Sequence, residues 1–228
     1  MLYAWIDGVK RPPTAKGERT ACHDCGGTLT SVIPAENVRH WRHKTGDCDS
    51  WSEPEGPWHL GWKEAFPEDC REISLSDSIT GERHRADVLC GAGTSNATVL
   101  ELQHSSIPED ERIAREAFYQ QDHRMFWLVH IHNHQKWNFG MSLNWQSRPV
   151  NVKGKEFAIM QWYGRSTQFI EKWKRSTAYV FFEFQEQIFF LGGKPLSERI
   201  AGGTPLEKGQ YALCHLTHEE FIRSVSGA

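Results

Sequence analysis

The sequence predicts a mixed α/β core with a smaller part on either side, and three observations lead to this fold class. Between residues 51 and 135, helix-like and strand-like segments follow one another as helix, strand, strand, strand, helix and strand. Residues 1–50 show no helical period, and they hold a CxxC pair followed by two glycines. Beyond residue 135, aromatic strand-like runs prevail. We therefore expect a small module over 1–50, the core over 51–135, and a β-rich extension over 136–228 packing on that core.

Composition narrows the class of protein. The 228 residues are 39% hydrophobic with a mean hydropathy of -0.59, and no run reaches the roughly 18 apolar residues of a membrane span. The N-terminus lacks the layout of a signal peptide, so we expect a soluble cytoplasmic protein with no membrane partner. Six cysteines, two of them as CxxC, suit a metal site or reduced thiols better than a disulfide framework.

Charge is distributed unevenly along the chain. Residues 51–130 carry 7 Lys and Arg against 15 Asp and Glu, whereas residues 131–175 carry 8 against 2. Five aromatic residues are interleaved with this basic segment, namely Trp137, Trp145, Trp162, Tyr163 and Trp173. The pattern is typical of an acidic catalytic cleft beside a surface that binds a nucleic-acid backbone. A strand-rich extension that merely carries these residues explains it equally well.

The elements of the core can be justified in order. "GPWHLGWKEAF" predicts a helix because its proline falls at an early position, and Pro67 should end it. "REISLSDSI" and "HRADVLC" alternate as strands on either side of a turn. "ATVLELQHS" is a short, partly buried strand.

The remaining elements follow the same logic. "SIPEDERIAREAFYQQ" predicts a helix with Ser106 as its cap, Pro108 early and acids in the first turn. "MFWLVHIH" has the apolar character of a central strand. Further on, "RSTQFIEKWKRS" predicts a helix and "AYVFFEFQEQIFFLGG" a hairpin. A short C-terminal helix should be capped by Thr217.

A zinc-ribbon-like module is predicted for residues 1–50. Cys22 and Cys25 form the CxxC pair, and the following glycines allow a tight turn around a metal. "RHWRHKTGDC" offers the second ligand pair, at zinc-finger spacing. We favour the set Cys22, Cys25, His43 and Cys48 for a structural Zn²⁺, with His40 as the alternate ligand. A redox CxxC or free thiols are the other interpretation.

A candidate site for Mg²⁺ lies on two consecutive predicted strands. Asp87 and Glu101 are 14 residues apart and joined by a Gly-, Ser- and Asn-rich turn, so the two carboxylates can come together as oxygen ligands. Gln103 shares the strand face of Glu101, where its amide could orient water or contact phosphate. Two ordinary acids on a surface hairpin are the alternative.

The preceding helix carries a stripe of polar residues. Glu55, His59 and Lys63 are spaced i, i+4 and i+8, which predicts one helix face pointing into a cleft. His59 could contact phosphate or relay a proton, and Lys63 could stabilise developing negative charge. A solvent-exposed helix face is the alternative.

Three histidines alternate at positions 130, 132 and 134. The spacing resembles a metal site, but we interpret it as the edge of the strand "WLVHIHNH".

Taken in order, these motifs resemble the competence protein CoiA-like family, a branch of the PD-(D/E)XK nuclease superfamily. The resemblance uses the CxxCG knuckle, "HWRH", "EGPWHLGWK", "RADV" followed by "LELQHSSI", and "RIAREAFY". It covers residues 20 to 190. It implies a restriction-endonuclease-like mixed sheet with Asp87 and Glu101 as metal ligands. Gln103 stands where the superfamily has its lysine, and Lys63 could supply the missing positive charge.

We therefore expect a nuclease that uses Mg²⁺ or Mn²⁺ to hydrolyse DNA in DNA processing, recombination or phage defence. Glu55 is a possible further ligand, and Arg112 or Arg115 could bind a neighbouring phosphate. A homodimer or a partner protein of a defence or recombination system fits the same class. The alternative is a catalytically inactive DNA- or protein-binding module with this fold, or a zinc-finger adaptor.

Overall fold

The computed structural model describes residues 1–46, 48–51, 54–144, 146–164 and 167–227. Within these ranges the chain forms fourteen strands and six α-helices, which agrees with the predicted mixed α/β class. The chain divides into two compact units, Met1–Leu89 and the part from Cys90 onward. The predicted boundaries at residues 50 and 135 differ from this division.

The first unit begins with two small antiparallel arrangements. A hairpin is formed by β1 (Ala4–Ile6) and β2 (Val9–Arg11), and a three-stranded sheet by β3 (Arg19–Ala21), β4 (Thr28–Val32) and β5 (His40–His43). Leu29 and Trp41 are buried together with Ala4 and Cys22. This core is small, so the segment needs a further source of stability.

The rest of the first unit follows the predicted elements. Helix α1 (Pro57–Glu64) has its proline at the first helical position, where the missing N–H costs little. A 3₁₀ turn (Glu68–Cys70) follows Pro67. Strands β6 (Arg71–Ser76) and β7 (Arg83–Cys90) then pair antiparallel, as the alternation of "REISLSDSI" and "HRADVLC" predicts.

The second unit contains a seven-stranded mixed sheet. Its strands are β8 (Thr98–Gln103), β9 (Arg124–His130), β10 (Val150–Val152), β11 (Lys155–Gln161), β12 (Tyr179–Phe184), β13 (Gln187–Leu191) and β14 (Gln210–Leu216). They run in the order β10-β11-β14-β13-β12-β9-β8. Strand β9 pairs in parallel with both β8 and β12, and the remaining pairs are antiparallel.

Five helices belong to this unit. They are α2 (Glu109–Tyr119), α3 (Asn133–Asn144), α4 (Gln168–Lys174), α5 (Lys194–Ile200) and α6 (His218–Ser226). The predicted cap at Ser106 is wrong, because α2 begins three residues later, directly after Pro108. The predicted cap at Thr217 is confirmed: its hydroxyl accepts a hydrogen bond from the Glu220 N–H at 3.1 Å.

The β-rich extension does not simply pack on the core. Strands β10 to β14 continue the sheet that holds β8 and β9, with β12 beside the apolar β9. Trp127 and Leu128 on β9 have no exposed surface, which explains why "MFWLVHIH" reads as a central strand. Helices α3 and α5 and strands β10, β11 and β14 were not predicted.

Candidate active site and metal centre

The structure brings together the four favoured zinc ligands of the first unit. One ligand atom from each of Cys22, Cys25, His43 and Cys48 lies within 4.8 Å of the others. The Sγ atoms of Cys22 and Cys48 are 3.9 Å apart, and Cys25 Sγ is 3.5 Å from His43 Nε2. Three thiols and one imidazole are a donor set that structural Zn²⁺ takes in tetrahedral geometry. The residues therefore fit zinc.

The alternate ligand His40 lies outside this cluster. Its Nδ1 is 3.0 Å from the carbonyl oxygen of Val38, two residues earlier. Strand β5 begins at His40 and ends at His43, and the ligand cluster contains the second of these histidines.

The backbone of the knuckle explains the two glycines after the CxxC. Gly26 adopts a φ of +71°, which L side chains rarely do, and its N–H donates to the Cys22 carbonyl at 2.8 Å. The Gly27 N–H lies 3.4 Å from Cys25 Sγ, and a Cβ added at Gly27 would lie 3.2 Å from the same sulfur. The chain can wrap the cluster this closely because both positions lack a side chain.

A buried charged cluster surrounds the helix residue Lys63. Its ammonium, with 1% of the side chain exposed, contacts Glu55 Oε2 at 2.5 Å, Glu72 Oε1 at 2.9 Å and Asp87 Oδ1 at 2.9 Å. We call Lys63, Glu55, Glu72 and Asp87 the lysine cluster. Three carboxylates thus meet around one ammonium group.

Burial and charge shift the pKa values of this cluster in different directions. Burial raises the pKa of Glu55 to about 7, although Lys63 opposes the shift. Burial, the largest single effect, would raise the pKa of Glu72 too, but Lys63, the N-terminal ammonium, Arg85 and the Leu2 N–H together hold it below the ordinary value. Burial would lower the pKa of Lys63, but Asp87 and the other carboxylates raise it well above normal. The lysine is therefore charged at neutral pH, while Glu55 is close to half-protonated.

The sequence analysis missed Glu72. On β6 this residue has a φ of +47°, an unfavourable conformation for a residue with a side chain. Its carboxylate accepts hydrogen bonds from the backbone N–H groups of Leu2 at 2.7 Å and Tyr3 at 3.1 Å, in addition to Lys63. No spacing rule in the sequence relates Glu72 to the α1 residues, because a strand and a helix bring them together.

The expected helix stripe is only partly correct. Glu55 precedes α1, yet Lys63 still reaches it because the lysine side chain points back toward the helix start. His59 is 3% exposed, and its Nδ1 accepts a hydrogen bond from the Gly56 N–H at 3.4 Å. Its expected role, contacting phosphate or relaying a proton, stays a prediction.

In the second unit, Glu101 and Gln103 lie on β8 as predicted. Glu101 Oε2 is 2.9 Å from the guanidinium of Arg115 on α2, and both side chains are buried. Gln103 is 1% exposed and donates from Nε2 to the Ser105 carbonyl at 3.1 Å. Asp87 belongs to the first unit and Glu101 to the second, so their joint role as metal ligands stays a prediction.

The two arginines of α2 form buried ion pairs within the second unit, and their expected contact with a phosphate stays a prediction. Arg115 also pairs with Glu111 at 2.5 Å, and Arg112, 1% exposed, pairs with Glu116 at 2.6 Å. The neighbouring carboxylates and the apolar sheet enclose both guanidinium groups. Their proximity to Glu101 and Glu116 favours a role in positioning these acids.

Glu116 anchors several parts of the second unit. Its carboxylate accepts hydrogen bonds from Trp127 Nε1 at 3.1 Å, Ser176 Oγ at 2.6 Å and the Thr177 N–H at 3.1 Å. These donors lie on β9 and in the segment before β12. Glu116 therefore ties α2 to the centre of the sheet.

The basic, aromatic segment is only partly available for binding. Trp162 and Trp173 are 3% and 2% exposed and belong to the core. Trp137 is 65% exposed and Tyr163 40%, whereas Trp145 lies outside the described residues. Lys136, Arg148 and Lys153 are also exposed. The part of this segment that can meet a ligand is thus smaller than composition suggests.

Comparison with known proteins bears on this arrangement. Residues 69–180 match the family model of competence protein CoiA, nuclease-like domain. The chain is a member of the CoiA-like family. The matched stretch of this CoiA-like chain includes Asp87, Glu101 and Gln103, while the zinc ligands and helix α1 precede it. Neither the curated proteins nor the solved structures gave a match.

The CoiA-like assignment identifies a nuclease-like domain over residues 69–180. None of the helices in the described part of the chain combines the length and the apolar character needed to cross a membrane. The cytoplasmic location of this CoiA-like protein stays a prediction.

Proposed function

We propose that this CoiA-like chain is a nuclease that uses Mg²⁺ or Mn²⁺ to hydrolyse DNA phosphodiester bonds. Asp87 and Glu101 are the proposed metal ligands, as the family resemblance implies, with Glu55 a possible further ligand. The observation that carries the proposal is the 2.9 Å contact between Lys63 Nζ and Asp87 Oδ1. It places a buried lysine against the acid of the RADV motif, in a chain whose glutamine replaces the usual motif lysine.

The lysine cluster suits this chemistry. A bound divalent ion would lower the pKa of a water molecule and neutralise charge on the scissile phosphate. Lys63 stays charged and orients the Asp87 carboxylate, which is 21% exposed and so can be reached from solvent. Glu55, with a pKa of about 7, can accept and release a proton near neutral pH.

In the second unit, Arg115 would position the proposed ligand Glu101 rather than bind phosphate itself. A carboxylate held by a buried guanidinium loses rotational freedom. Gln103 is fixed by its bond to the Ser105 carbonyl, which supports a role in orienting water or substrate.

In this proposal, exposed aromatic and basic side chains of the second unit bind DNA. Exposed Trp137 and Tyr163 can stack on bases, and the exposed basic residues near them in sequence can contact phosphates. In this proposal the Cys22–Cys25–His43–Cys48 set holds a structural Zn²⁺. Homodimer formation, a partner protein and a role in recombination or phage defence stay predictions.

The test is a cleavage assay on supercoiled plasmid and labelled oligonucleotides with Mg²⁺ or Mn²⁺. Asp87→Asn and Glu101→Gln should each lower the cleavage rate at least about 100-fold, because each removes a charged oxygen ligand. Asp69→Asn is the matched control, since Asp69 is an exposed acid on the 3₁₀ turn. Circular dichroism of each variant checks the fold.

Equal cleavage by the wild type and Asp87→Asn would overturn the proposal. DNA binding by the wild type without cleavage under any metal would favour the alternative, a catalytically inactive binding module. Loss of partner binding on zinc removal, with no effect of Asp87→Asn, would favour the zinc-finger adaptor.

A further inference from the structure

Three histidines of the second unit meet at the ends of parallel strands. His104 directly follows β8, His130 is the last residue of β9, and His132 lies two residues further on. One ring nitrogen of each lies within 4.8 Å of the others. We call these three residues the histidine cluster. His134, which belongs to the same sequence pattern, is exposed on α3 and is not part of the cluster.

The strand pattern fixes this arrangement. Gln103 pairs with Val129 across β8 and β9, so the next residues, His104 and His130, come from the same face of the two strands. Their rings stack with 4.8 Å between centroids and 13° between planes. The ring of His132 stands nearly perpendicular to both. The cluster therefore lies on the opposite strand face from Glu101 and Gln103.

The backbone around the cluster is well anchored. The carbonyl of His132 accepts hydrogen bonds from the N–H groups of Gln135 and Lys136 at 2.9 Å each, at the start of α3. The Ile131 N–H donates to the Glu183 carbonyl at 2.9 Å. Ligand positions held by a sheet and a helix start lose little conformational freedom on binding.

A carboxylate supports one of the imidazoles. Glu183 on β12 lies beside His130 in the parallel register, and its Oε2 is 2.5 Å from His130 Nδ1. Histidines that bind metals almost always donate the other ring N–H to such a group, because this fixes the tautomer and raises the basicity of the ligand nitrogen. A donated Nδ1–H leaves Nε2 as the metal-binding atom of His130.

We propose that His104, His130 and His132 form a second metal site, for a divalent transition ion of the zinc, cobalt and nickel class. Imidazole nitrogens favour these ions over Mg²⁺ and Ca²⁺, which take oxygen ligands. All three histidines are partly exposed, so an ion can enter from solvent. Three protein ligands leave one coordination position for water or a substrate anion, as in catalytic zinc sites. The carboxyl ends of parallel strands are a common location for ligands in α/β proteins.

The test uses the full chain and titrates it with Co²⁺ and Zn²⁺. Cobalt bound by the cysteine set gives thiolate-to-metal charge-transfer absorption, whereas cobalt bound by three imidazoles does not. With excess Mg²⁺ present to occupy the proposed carboxylate site, the wild type should bind two equivalents, and a Cys22→Ser, Cys25→Ser variant should retain one equivalent without charge-transfer absorption. This outcome is independent of the proposed nuclease activity.

Variants of the histidine cluster locate the second equivalent. His130→Gln and His132→Gln should each lose it and keep the charge-transfer absorption, while the matched control His134→Gln should keep both equivalents. Glu183→Gln should weaken the second equivalent by about 10- to 100-fold, since it removes only the charge behind His130. The amide oxygen can still accept the Glu186 N–H, so this variant should fold normally.

Several results would overturn the proposal. They are one equivalent in the wild type, an unchanged second equivalent in His130→Gln and His132→Gln, or equal loss in His134→Gln. Should the histidine variants fail to fold, unchanged affinity in folded Glu183→Gln would count against it.

Discussion

At Lys63, one buried ammonium group contacts three carboxylates. The side chain is 1% exposed, and its charge persists because Glu55, Glu72 and Asp87 surround it. Each partner constrains the others, so a change at one residue alters the protonation of its neighbours.

Replacement of Lys63 by methionine should lower the free energy of unfolding by about 3–5 kcal/mol, because it leaves buried carboxylates without their counter-ion. Urea unfolding measures this loss. Lys44→Met, at an exposed position, is the control and should change stability by less than about 0.5 kcal/mol. Adding Glu55→Gln to Lys63→Met should recover part of the lost free energy of unfolding. Equal stability of Lys63→Met and Lys44→Met would contradict the prediction.

Glu55 predicts a specific dependence of stability on pH. Its pKa rises from 4.5 in the unfolded chain to about 7 in the fold, so the folded state binds the extra proton between these values. The contribution of this carboxyl to the free energy of unfolding is therefore largest below pH 4.5 and is lost as the pH rises through 7. The full change is about 3 kcal/mol, at about 1.4 kcal/mol for each pKa unit.

Unfolding free energies of the wild type and Glu55→Gln, measured between pH 4.5 and 8, test this slope. As the pH rises, the free energy of unfolding of the wild type should fall relative to that of Glu55→Gln. Parallel curves for the two proteins would show that Glu55 does not titrate in this range.

At the scale of elements, helix α6 rests on a reciprocal cap. The Thr217 hydroxyl accepts the Glu220 N–H, and the Glu220 carboxylate accepts the Thr217 N–H at 3.0 Å. Thr217→Ala should therefore cost about 1 kcal/mol of unfolding free energy, whereas Thr217→Ser keeps the hydroxyl and should cost a few tenths. Equal losses in the two variants, by urea unfolding, would exclude the cap as the cause.

Many of the helices and strands could be predicted from the sequence. Helix α1, strands β6 to β9 and the β12–β13 hairpin follow from local patterns, since proline positions and strand alternation are decided within a few residues. Helix α3 was not predicted because its apolar residues follow no clear stripe: of the apolar side chains described on it, only Phe139 is buried, against aromatic rings distant in sequence. Ser106 fails as a cap because Pro108 already sets the helix start.

For the whole molecule, zinc should contribute most to the part with the smallest apolar core. Removal of zinc by a strong chelator should lower the unfolding temperature by roughly 5–10 °C, since metal binding is coupled to folding and a tightly bound ion contributes several kcal/mol. Scanning calorimetry with and without chelator measures this. In the Cys22→Ser, Cys25→Ser variant, the chelator should lower the unfolding temperature by less, and only through any metal bound at the histidine cluster. An undiminished effect would place the stabilising zinc elsewhere.

Long-range pairing limited what could be predicted about the sites. The favoured zinc set consists of a CxxC pair and a second pair nearby in sequence, so spacing was enough to predict that these side chains meet. Glu72 and the partnership of His130 with Glu183 depend on strand register between segments far apart in sequence. The ion pairs of Arg112 with Glu116 and of Arg115 with Glu101 were not predicted either, because the sequence does not reveal which carboxylates an arginine meets.

The parallel pairing of β9 with β12 also dictates an order of events during synthesis. Strand β9 ends at His130, but its neighbour on one side begins only at Tyr179. A ribosome adding roughly 5–20 residues per second needs several seconds to make the intervening stretch. Throughout that interval, "MFWLV" presents an unpaired apolar edge. Nascent chains that stop short of Tyr179 should therefore be chaperone clients and prone to aggregation.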